Sequence, residues 1–186
     1  TDQLIKIGSR IVRKRMEAIQ AIRSNLETFY GVLSASRETI SLKYMSTILS
    51  DDLEGIVQRF SERIQEKQAQ ESQLGYTLVG PHRDHVSIGI NGRDIQGNAS
   101  KGQLKCVLLS WKLAEALFLE ERALDQPVLL LDDAFSELDE IRSLALLELL
   151  DRFGQVIITC ARDTDVDLSR RSFCEIVIKD GNIAGT

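Results

Sequence analysis

The chain has 186 residues, of which 43% are hydrophobic and 27% charged, and its formal net charge is −5. This length can bury one sizeable core or two small lobes, and the acidic balance excludes a protein that attracts DNA through its overall charge. No apolar run reaches the length that crosses a bilayer and no signal peptide opens the chain. Three cysteines without metal-like spacing suit a reducing compartment, so we expect a soluble, cytoplasmic protein with no membrane partner.

The first part of the chain has the periodicity of helices. From about Leu4 to Leu33 apolar residues recur every three or four positions, which predicts one long helix, or two joined near Gly8. Residues 38–48 alternate like a strand, and Asp51-x-x-Glu54 is typical of a capping box that begins a second helix. The polar stretch 65–73 breaks this pattern. We therefore predict a helical lobe over residues 1–73.

The remaining residues, 74–186, alternate between strand and helix patterns, which is typical of an α/β domain. Strands are predicted at 76–79, 86–90, 127–132 and 155–159, and helices at 102–122 and 140–153. Asn91-Gly92 has the turn chemistry of a tight hairpin, and residues 174–183 suggest a second hairpin that closes the domain.

The most informative segment is 129–139, Leu-Leu-Leu-Asp-Asp-Ala-Phe-Ser-Glu-Leu-Asp. A run of aliphatic residues, expected to be buried, ends in two adjacent carboxylates, which is a Walker B pattern. A strand of this kind delivers its terminal carboxylate to the rim of a sheet, where an oxygen ligand can meet phosphate-bound Mg²⁺. The alternative is a core strand followed by a solvated acidic turn.

A second motif, Ser100-Lys101-Gly102-Gln103, comes just before the predicted helix 102–122. At a helix start it presents a hydroxyl, free backbone amides and the positive end of the helix dipole, a combination that suits a terminal phosphate. A plain Ser-capped helix would look similar. About thirty residues before the paired aspartates, the motif is typical of the signature loop of an ABC-type ATPase.

Together with the earlier motif 80–84, Gly-Pro-His-Arg-Asp, and with Arg142, these segments resemble the bacterial RecF family, the recombination-repair relatives of the SMC ATPases. The resemblance implies an α/β fold, the C-terminal half of an ABC/SMC-type ATPase head, with a small, mainly helical lobe in front. That lobe, 1–73, matches the later part of the RecF insertion lobe, and 74–186 matches the C-terminal ATPase sub-domain. The chain has no G-x-x-x-x-G-K-[ST] loop, so we expect a C-terminal fragment that does not hydrolyse ATP alone.

The resemblance also implies a role for each site residue. Asp132 would hold Mg²⁺, and Asp133 would orient or deprotonate the attacking water, where many ABC ATPases carry Glu, so slow hydrolysis is expected. The signature residues would cap the γ-phosphate of ATP bound to a partner subunit, and the D-loop would follow the dimer interface. The signature residues are Ser100, Lys101, Gly102 and Gln103, and the D-loop runs from Ser136 to Asp139. Lys101 stands where transporter signatures have Gly, and Thr159 stands near the place of the transporters' switch His.

The partners are implied by the family alone. Its members bind DNA at gapped or single-strand/double-strand junctions as ATP-dependent homodimers, and they work with RecO and RecR to help load RecA during replication, recombinational repair and the SOS response. Candidate DNA contacts are the basic residues of the first helix, for which a solvated helix face is the alternative reading. They are Arg10, Arg13, Lys14 and Arg15. Two other functions stay open: a non-catalytic module that binds DNA or a partner, and the head of another SMC-related ATPase.

Overall fold

The helices and strands follow one another in the order expected for a helical segment and an α/β segment. The structure, a computed structural model, describes residues 2–123, 125–161 and 172–185. Its helices are α1 (Asp2–Leu33), α2 (Leu53–Leu74), α3 (Lys101–Ala123) and α4 (Glu140–Leu150). Its strands are β1 (Ile40–Met45), β2 (His85–Ile90), β3 (Arg93–Asp94), β4 (Val128–Asp132), β5 (Gln155–Thr159), β6 (Val177–Lys179) and β7 (Asn182–Gly185).

The first three strands form one antiparallel sheet in the order β1-β2-β3. Ile40 lies opposite Ile90, and Met45 lies opposite His85. Asn91 and Gly92 join β2 to β3 with φ values of 50° and 77°, the left-handed backbone that a two-residue hairpin turn requires. The Asn91 side chain also accepts a hydrogen bond from the Thr39 amide at 2.9 Å. The predicted strands and hairpin in this region are confirmed.

Strands β4 and β5 are parallel neighbours, and α4 forms the connection between them. Their register places Asp132 opposite Thr159 at the carboxyl ends of both strands. The expectation of a fully buried aliphatic run is wrong, because Leu129 and Leu131 are buried whereas Leu130 is 72% exposed. Helices cover only one face of this two-stranded sheet among the described residues, so every second side chain faces outward.

The second half of α1 lies at the centre of the larger hydrophobic core. Phe29 and Tyr30 of this helix are buried against α3, and α4 adds Leu146 to the same cluster. A smaller core joins the first half of α1 to α2 through Val12 and Phe60. The two helices approach closely at Gly8, where an added Cβ atom would lie 2.5 Å from the Phe60 ring. The long, continuous form of the first helix is confirmed.

Three local predictions were wrong. Residues 76–79 form an irregular, bent connection rather than a strand, because their backbone groups bond to nearby side chains: Glu71 accepts from the Leu78 amide at 2.6 Å. The N-cap of α2 is Asp52, not Asp51, and its carboxylate accepts from the Gly55 amide at 2.7 Å. The helix also continues through the polar stretch 65–73 to Leu74, since an exposed helical end needs no apolar face.

The sheet and the larger core both cross the predicted domain boundary. Strand β1, before residue 73, pairs with β2, after it, and α1 packs on α3. The division into 1–73 and 74–186 stays a prediction, but the two segments share one packed interior. None of the helices in the described part of the chain is both long enough and apolar enough to cross a bilayer.

Candidate functional site

The paired aspartates lie at the carboxyl end of β4, in a segment that we call the acidic turn, residues 132–136. The Thr159 hydroxyl donates to Oδ1 of Asp132. The Asp133 amide donates to the Thr159 carbonyl at 3.2 Å, and Asp133 has a φ of 47°. Asp tolerates this left-handed backbone better than most residues. Both aspartates are exposed, and among the described residues no group donates to the Asp133 carboxylate. That carboxylate can therefore receive a water molecule or a ligand.

Lys105 of α3 holds the other side of the acidic turn. Its ammonium donates to the Asp133 carbonyl at 2.9 Å and approaches the Ser136 hydroxyl at 3.3 Å. The Ser136 hydroxyl itself donates to the same carbonyl at 2.9 Å. The peptide groups on both sides of Asp133 are thus fixed, the amide by β5 and the carbonyl by α3.

The signature turn, residues 100–103, is a capping box at the start of α3. The Gln103 side chain accepts from the Ser100 amide at 2.7 Å, and the Ser100 hydroxyl accepts from the Gln103 amide at 3.2 Å. This reciprocal pair satisfies two amides that a helix start otherwise leaves without partners. Lys101 is exposed and makes no described contact. The turn therefore presents Lys101 and the first amides of the helix outward.

Glu38 fixes the signature turn from behind, and sequence reasoning missed it. Its carboxylate accepts from the Gln103 side-chain amide at 2.6 Å and from the Tyr30 hydroxyl at 2.7 Å. Burial, and then this bond to Glu38, raise the pKa of the Tyr30 hydroxyl above its ordinary value. Glu38 lies just before β1 and belongs to no motif, so only its contact with a residue distant in sequence reveals the role.

The D-loop, residues 136–139, leads directly into α4. Asp139 is the N-cap of α4: its carboxylate accepts from the Arg142 amide at 2.9 Å and pairs with the Arg142 guanidinium at 3.2 Å. That guanidinium passes over Gly102, where an added Cβ would lie 3.4 Å from Nη1. Arg142 thus lies between the D-loop and the signature turn, and the structure places the signature turn, the acidic turn and the D-loop near one another.

Curated proteins named DNA replication and repair protein RecF match this chain over most of its length. The Nostoc punctiforme protein is 38% identical over 160 residues, which are 84% of this chain and 43% of that protein. The Synechococcus protein is 36% identical over 187 residues, or 98% of this chain and 49% of that protein. The chain belongs to the RecF family. It spans about half the length of these relatives, as expected for the C-terminal part of a RecF-family protein.

Solved RecF structures have the same fold. One, of the recombination mediator protein RecF with ATPrS in the RecFOR pathway, has a TM-score of 0.77 at 29% identity and covers 98% of this chain and 48% of its own. A second, of RecF with ATP, has a TM-score of 0.73 at 29% identity; the match covers 87% of this chain and 44% of the solved one. No protein-family model matches the chain. The likeness confirms the mixed helix and sheet fold of a RecF ATPase.

The carboxylates of this RecF-family site suit a magnesium ion whose other ligands are phosphate oxygens and waters, rather than a metal held by protein alone. The described residues contain no group of three or more side chains from His, Cys, Asp and Glu that could hold an ion. Asp132 and Asp133 supply two exposed carboxylates, and Thr159 occupies only one oxygen of Asp132. Mg²⁺ commonly takes one or two carboxylates, and phosphate oxygens and waters complete its shell.

The four basic residues proposed to meet DNA lie on α1, and no described contact joins them to the acidic turn. Arg13 donates to Glu17 at 3.0 Å and to the Asp51 carbonyl at 2.7 Å, and Lys14 donates to Glu17 at 3.1 Å. Arg15 donates to the Pro81 carbonyl. Arg10 has no described partner and is exposed. Three of the four cations therefore already bond within the chain, and two of these, Arg13 and Arg15, bond to backbone carbonyls outside α1.

The Gly-Pro-His-Arg-Asp segment is a structural connection in this RecF-family chain. His82 Nε2 lies 3.1 Å from the Thr77 carbonyl, and Arg83 donates to the same carbonyl at 3.2 Å. Asp84 accepts from the Tyr44 hydroxyl. Burial raises the pKa of Tyr44 to about 12, and the bond to Asp84 contributes to the rise. These contacts fix the entry into β2 against β1.

Proposed function

We propose that this chain supplies the signature turn, the acidic turn and the D-loop of a RecF-type ATPase that acts in DNA replication and recombinational repair. One observation carries the proposal: the acidic turn at the carboxyl ends of two parallel strands is bonded to α3 through Lys105. Arg142, paired with Asp139 of the D-loop, lies close to Gly102 of the signature turn. Open α/β sheets bind their ligands at this end. The solved relatives described with ATP and ATPrS make a nucleoside triphosphate the ligand of choice.

The acidic turn provides the groups that hydrolysis requires. Asp132 would hold Mg²⁺, which neutralises triphosphate charge when bound. Asp133 would orient the attacking water and accept its proton, since its carboxylate is exposed and has no described donor. Thr159 keeps Asp132 in place through its hydroxyl. The shorter reach of Asp, compared with Glu, makes slow turnover the expected result.

The signature turn would act on the nucleotide of a second subunit, so that ATP joins a homodimer. Lys101 and Gly102 lie in the first turn of α3, where helix amides have no intrahelical partner and anions bind. The exposed Lys101 ammonium adds positive charge at this place. Ser100 and Gln103 already bond to each other, so they would support these donors, and Gln103 retains one N–H for the phosphate.

The macromolecular partners follow from family membership. We propose that the intact dimer binds DNA at gapped or single-strand/double-strand junctions in the cytoplasm, and that it helps RecO and RecR to load RecA during repair and the SOS response. One solved relative is described as a recombination mediator of the RecFOR pathway, which supports this assignment of partners. The exposed cations Arg10 and Lys14 are the first candidates for phosphate contacts on this chain.

The ATPase proposal is tested by reconstitution. This chain is mixed with a separately produced polypeptide from a RecF relative that carries a G-x-x-x-x-G-K-[ST] loop, and ATP hydrolysis is measured. The chain alone should be inactive, the mixture active, and Asp133→Asn should remove the activity. Hydrolysis by the chain alone, or none in the mixture, would contradict the proposal. DNA or partner binding that needs no nucleotide would support the alternative of a non-catalytic module.

The two-subunit arrangement has its own test. Ser100→Arg and Asp133→Asn chains are reconstituted separately and then mixed. Each variant alone should be inactive, whereas mixed dimers contain one site with an intact signature turn and an intact acidic turn, so partial activity should return. No recovery on mixing would indicate that both motifs act on the same nucleotide.

DNA contact by α1 is tested with paired charge removal. Arg10→Ala combined with Lys14→Ala should weaken DNA binding and reduce its dependence on salt concentration, because fewer phosphates are neutralised. The control is Arg63→Ala combined with Lys67→Ala on the exposed end of α2, which removes the same charge. Equal binding by the two double variants would refute a role for the basic face of α1.

A further inference from the structure

The residue that connects the two halves of the candidate site is Lys105. It lies on the second turn of α3, five positions after Ser100, and its half-buried side chain reaches the acidic turn rather than solvent. Its ammonium contacts the Asp133 carbonyl and the Ser136 hydroxyl at 2.9 and 3.3 Å. Helix α3 therefore begins at the signature turn and, one turn later, bonds to the acidic turn through Lys105.

The acidic turn needs such a hold. Asp133 has a left-handed backbone at φ 47°, and Glu137, still within the D-loop, has φ 66°. Side chains other than Gly adopt this conformation at a cost, so neighbouring contacts must maintain it. The Asp133 amide is held by Thr159, but its carbonyl is held only by Lys105 and Ser136 among the described residues. A charge-assisted bond is the stronger of these two.

We infer that Lys105 is a positioning residue that couples the two ATP sites of the dimer. The inference rests on the proposed function, in which the signature turn meets one nucleotide and the acidic turn meets the other. When a phosphate engages the signature turn, α3 shifts or is fixed, and Lys105 carries that change to the Asp133 peptide and to the D-loop Ser136. The carboxylate of Asp133 is then aimed only when the opposite site is filled. Lys105 touches neither nucleotide in this scheme.

The first arm of the test needs this chain alone. Lys105→Met keeps the aliphatic stem but removes the ammonium, and Lys112→Met makes the same change on the exposed part of α3, where Lys112 pairs with Glu115. In Lys105→Met, amides of residues 132–139 should exchange hydrogen about tenfold faster, as expected when one charge-assisted hydrogen bond is lost. Peptides from α2 should be unchanged, and Lys105→Arg should restore protection.

The second arm uses the reconstituted ATPase. In Lys105→Met the kcat should fall about tenfold, as is typical when a supporting partner of a site is removed, while ATP affinity stays the same. Lys105→Arg should recover most of the rate, and Lys112→Met should match the unaltered chain. A merely structural lysine would not separate kcat from ATP affinity in this way.

The outcomes separate this inference from the proposed function. Unaltered exchange at 132–139 in Lys105→Met overturns the role of Lys105, whatever the ATPase does. An active mixture in which Lys105→Met equals Lys112→Met also overturns it. If the unaltered mixture has no ATPase, the proposed function fails and the coupling fails with it, while the exchange arm still decides whether Lys105 holds the turn.

Discussion

The hydroxyl of Thr159 donates a hydrogen bond to Oδ1 of Asp132, so the ends of β4 and β5 are joined by side chains as well as by backbone. The same residue accepts from the Asp133 amide through its carbonyl and its hydroxyl. One threonine therefore sets the position of both aspartates.

Replacing Thr159 with Val should separate activity from stability. Val has the same shape but no hydroxyl, so Asp132 loses its donor, and the reconstituted ATPase should slow by about tenfold. The free energy of unfolding should fall by only about 1 kcal/mol, because the two hydrogen bonds of the hydroxyl are exposed and the Asp133 amide keeps its bond to the Thr159 carbonyl. Urea denaturation and steady-state hydrolysis measure the two effects, and Thr159→Ser serves as the control that keeps the hydroxyl. A Val variant with normal turnover would contradict the role given to Thr159.

Substitutions at Asp133 should distinguish its backbone from its carboxylate. Asn adopts the left-handed backbone nearly as readily as Asp, so Asp133→Asn should keep the stability of the parent chain and lose the ATPase. Asp133→Ala should lose the ATPase and, in addition, about 1 kcal/mol of unfolding free energy, because its Cβ is disfavoured at φ 47°. Chemical denaturation compares the two. Equal stabilities would mean that the positive φ carries no cost here.

The pair Glu38 and Gln103 should show a measurable coupling. Each change to Ala should destabilise the chain by about 1 kcal/mol, and the double variant should lose less than the sum by at least about 0.5 kcal/mol. The exposed pair Gln58 and Glu62, joined at 2.9 Å on α2, is the matched control and should show little coupling. A double-mutant cycle by urea denaturation gives both coupling energies. If the losses of unfolding free energy at Glu38 and Gln103 simply add, the two side chains do not stabilise each other.

Alkaline pH should weaken the fold through Tyr44. Its pKa is raised from 10.0 to about 12, so the folded chain keeps a proton that the unfolded chain releases. The stabilisation is complete below pH 10.0 and is lost as the pH rises to about 12, with a slope of about 1.4 kcal/mol per pH unit for one such group. Tyr30, whose pKa is also raised, acts in the same direction.

The contribution of Tyr44 is isolated by comparing Tyr44→Phe with the unaltered chain. The variant should be less stable at neutral pH, where the bond to Asp84 is lost, and its unfolding free energy should fall less steeply above pH 10.0. Denaturation at several pH values, followed by the absorbance of tyrosinate, measures both. Parallel curves for the two chains would show that another group is responsible.

Local signals explain which parts of the fold were predicted. The hairpin at Asn91-Gly92 is encoded by its two turn residues, and α3 is encoded by apolar periodicity behind a Ser-x-x-Gln start. The extent of α2 was missed, because its end is exposed and polar and so carries no periodic signal. Its stop is explained by Gly75 at φ 75°.

The contacts inside the candidate site could not be predicted in the same way. Glu38 and Gln103 are 65 residues apart in sequence, and Lys105 and Asp133 are 28 apart. No spacing rule brings such pairs together, since their meeting depends on how α1, α3 and β4 pack. Motif chemistry found Gln103 and Asp133, whereas their supports Glu38 and Lys105 needed the tertiary structure.

The pairing of Met45 with His85 means that the polypeptide leaves the sheet and returns to the same place. Residues 46–84, which include α2, form an arm between these two strand residues, and the C-terminal end of α2 is exposed to solvent. The exposed face of α2 between residues 65 and 70 lies away from the strand register, so this arm is where the chain would best accept an attached reporter.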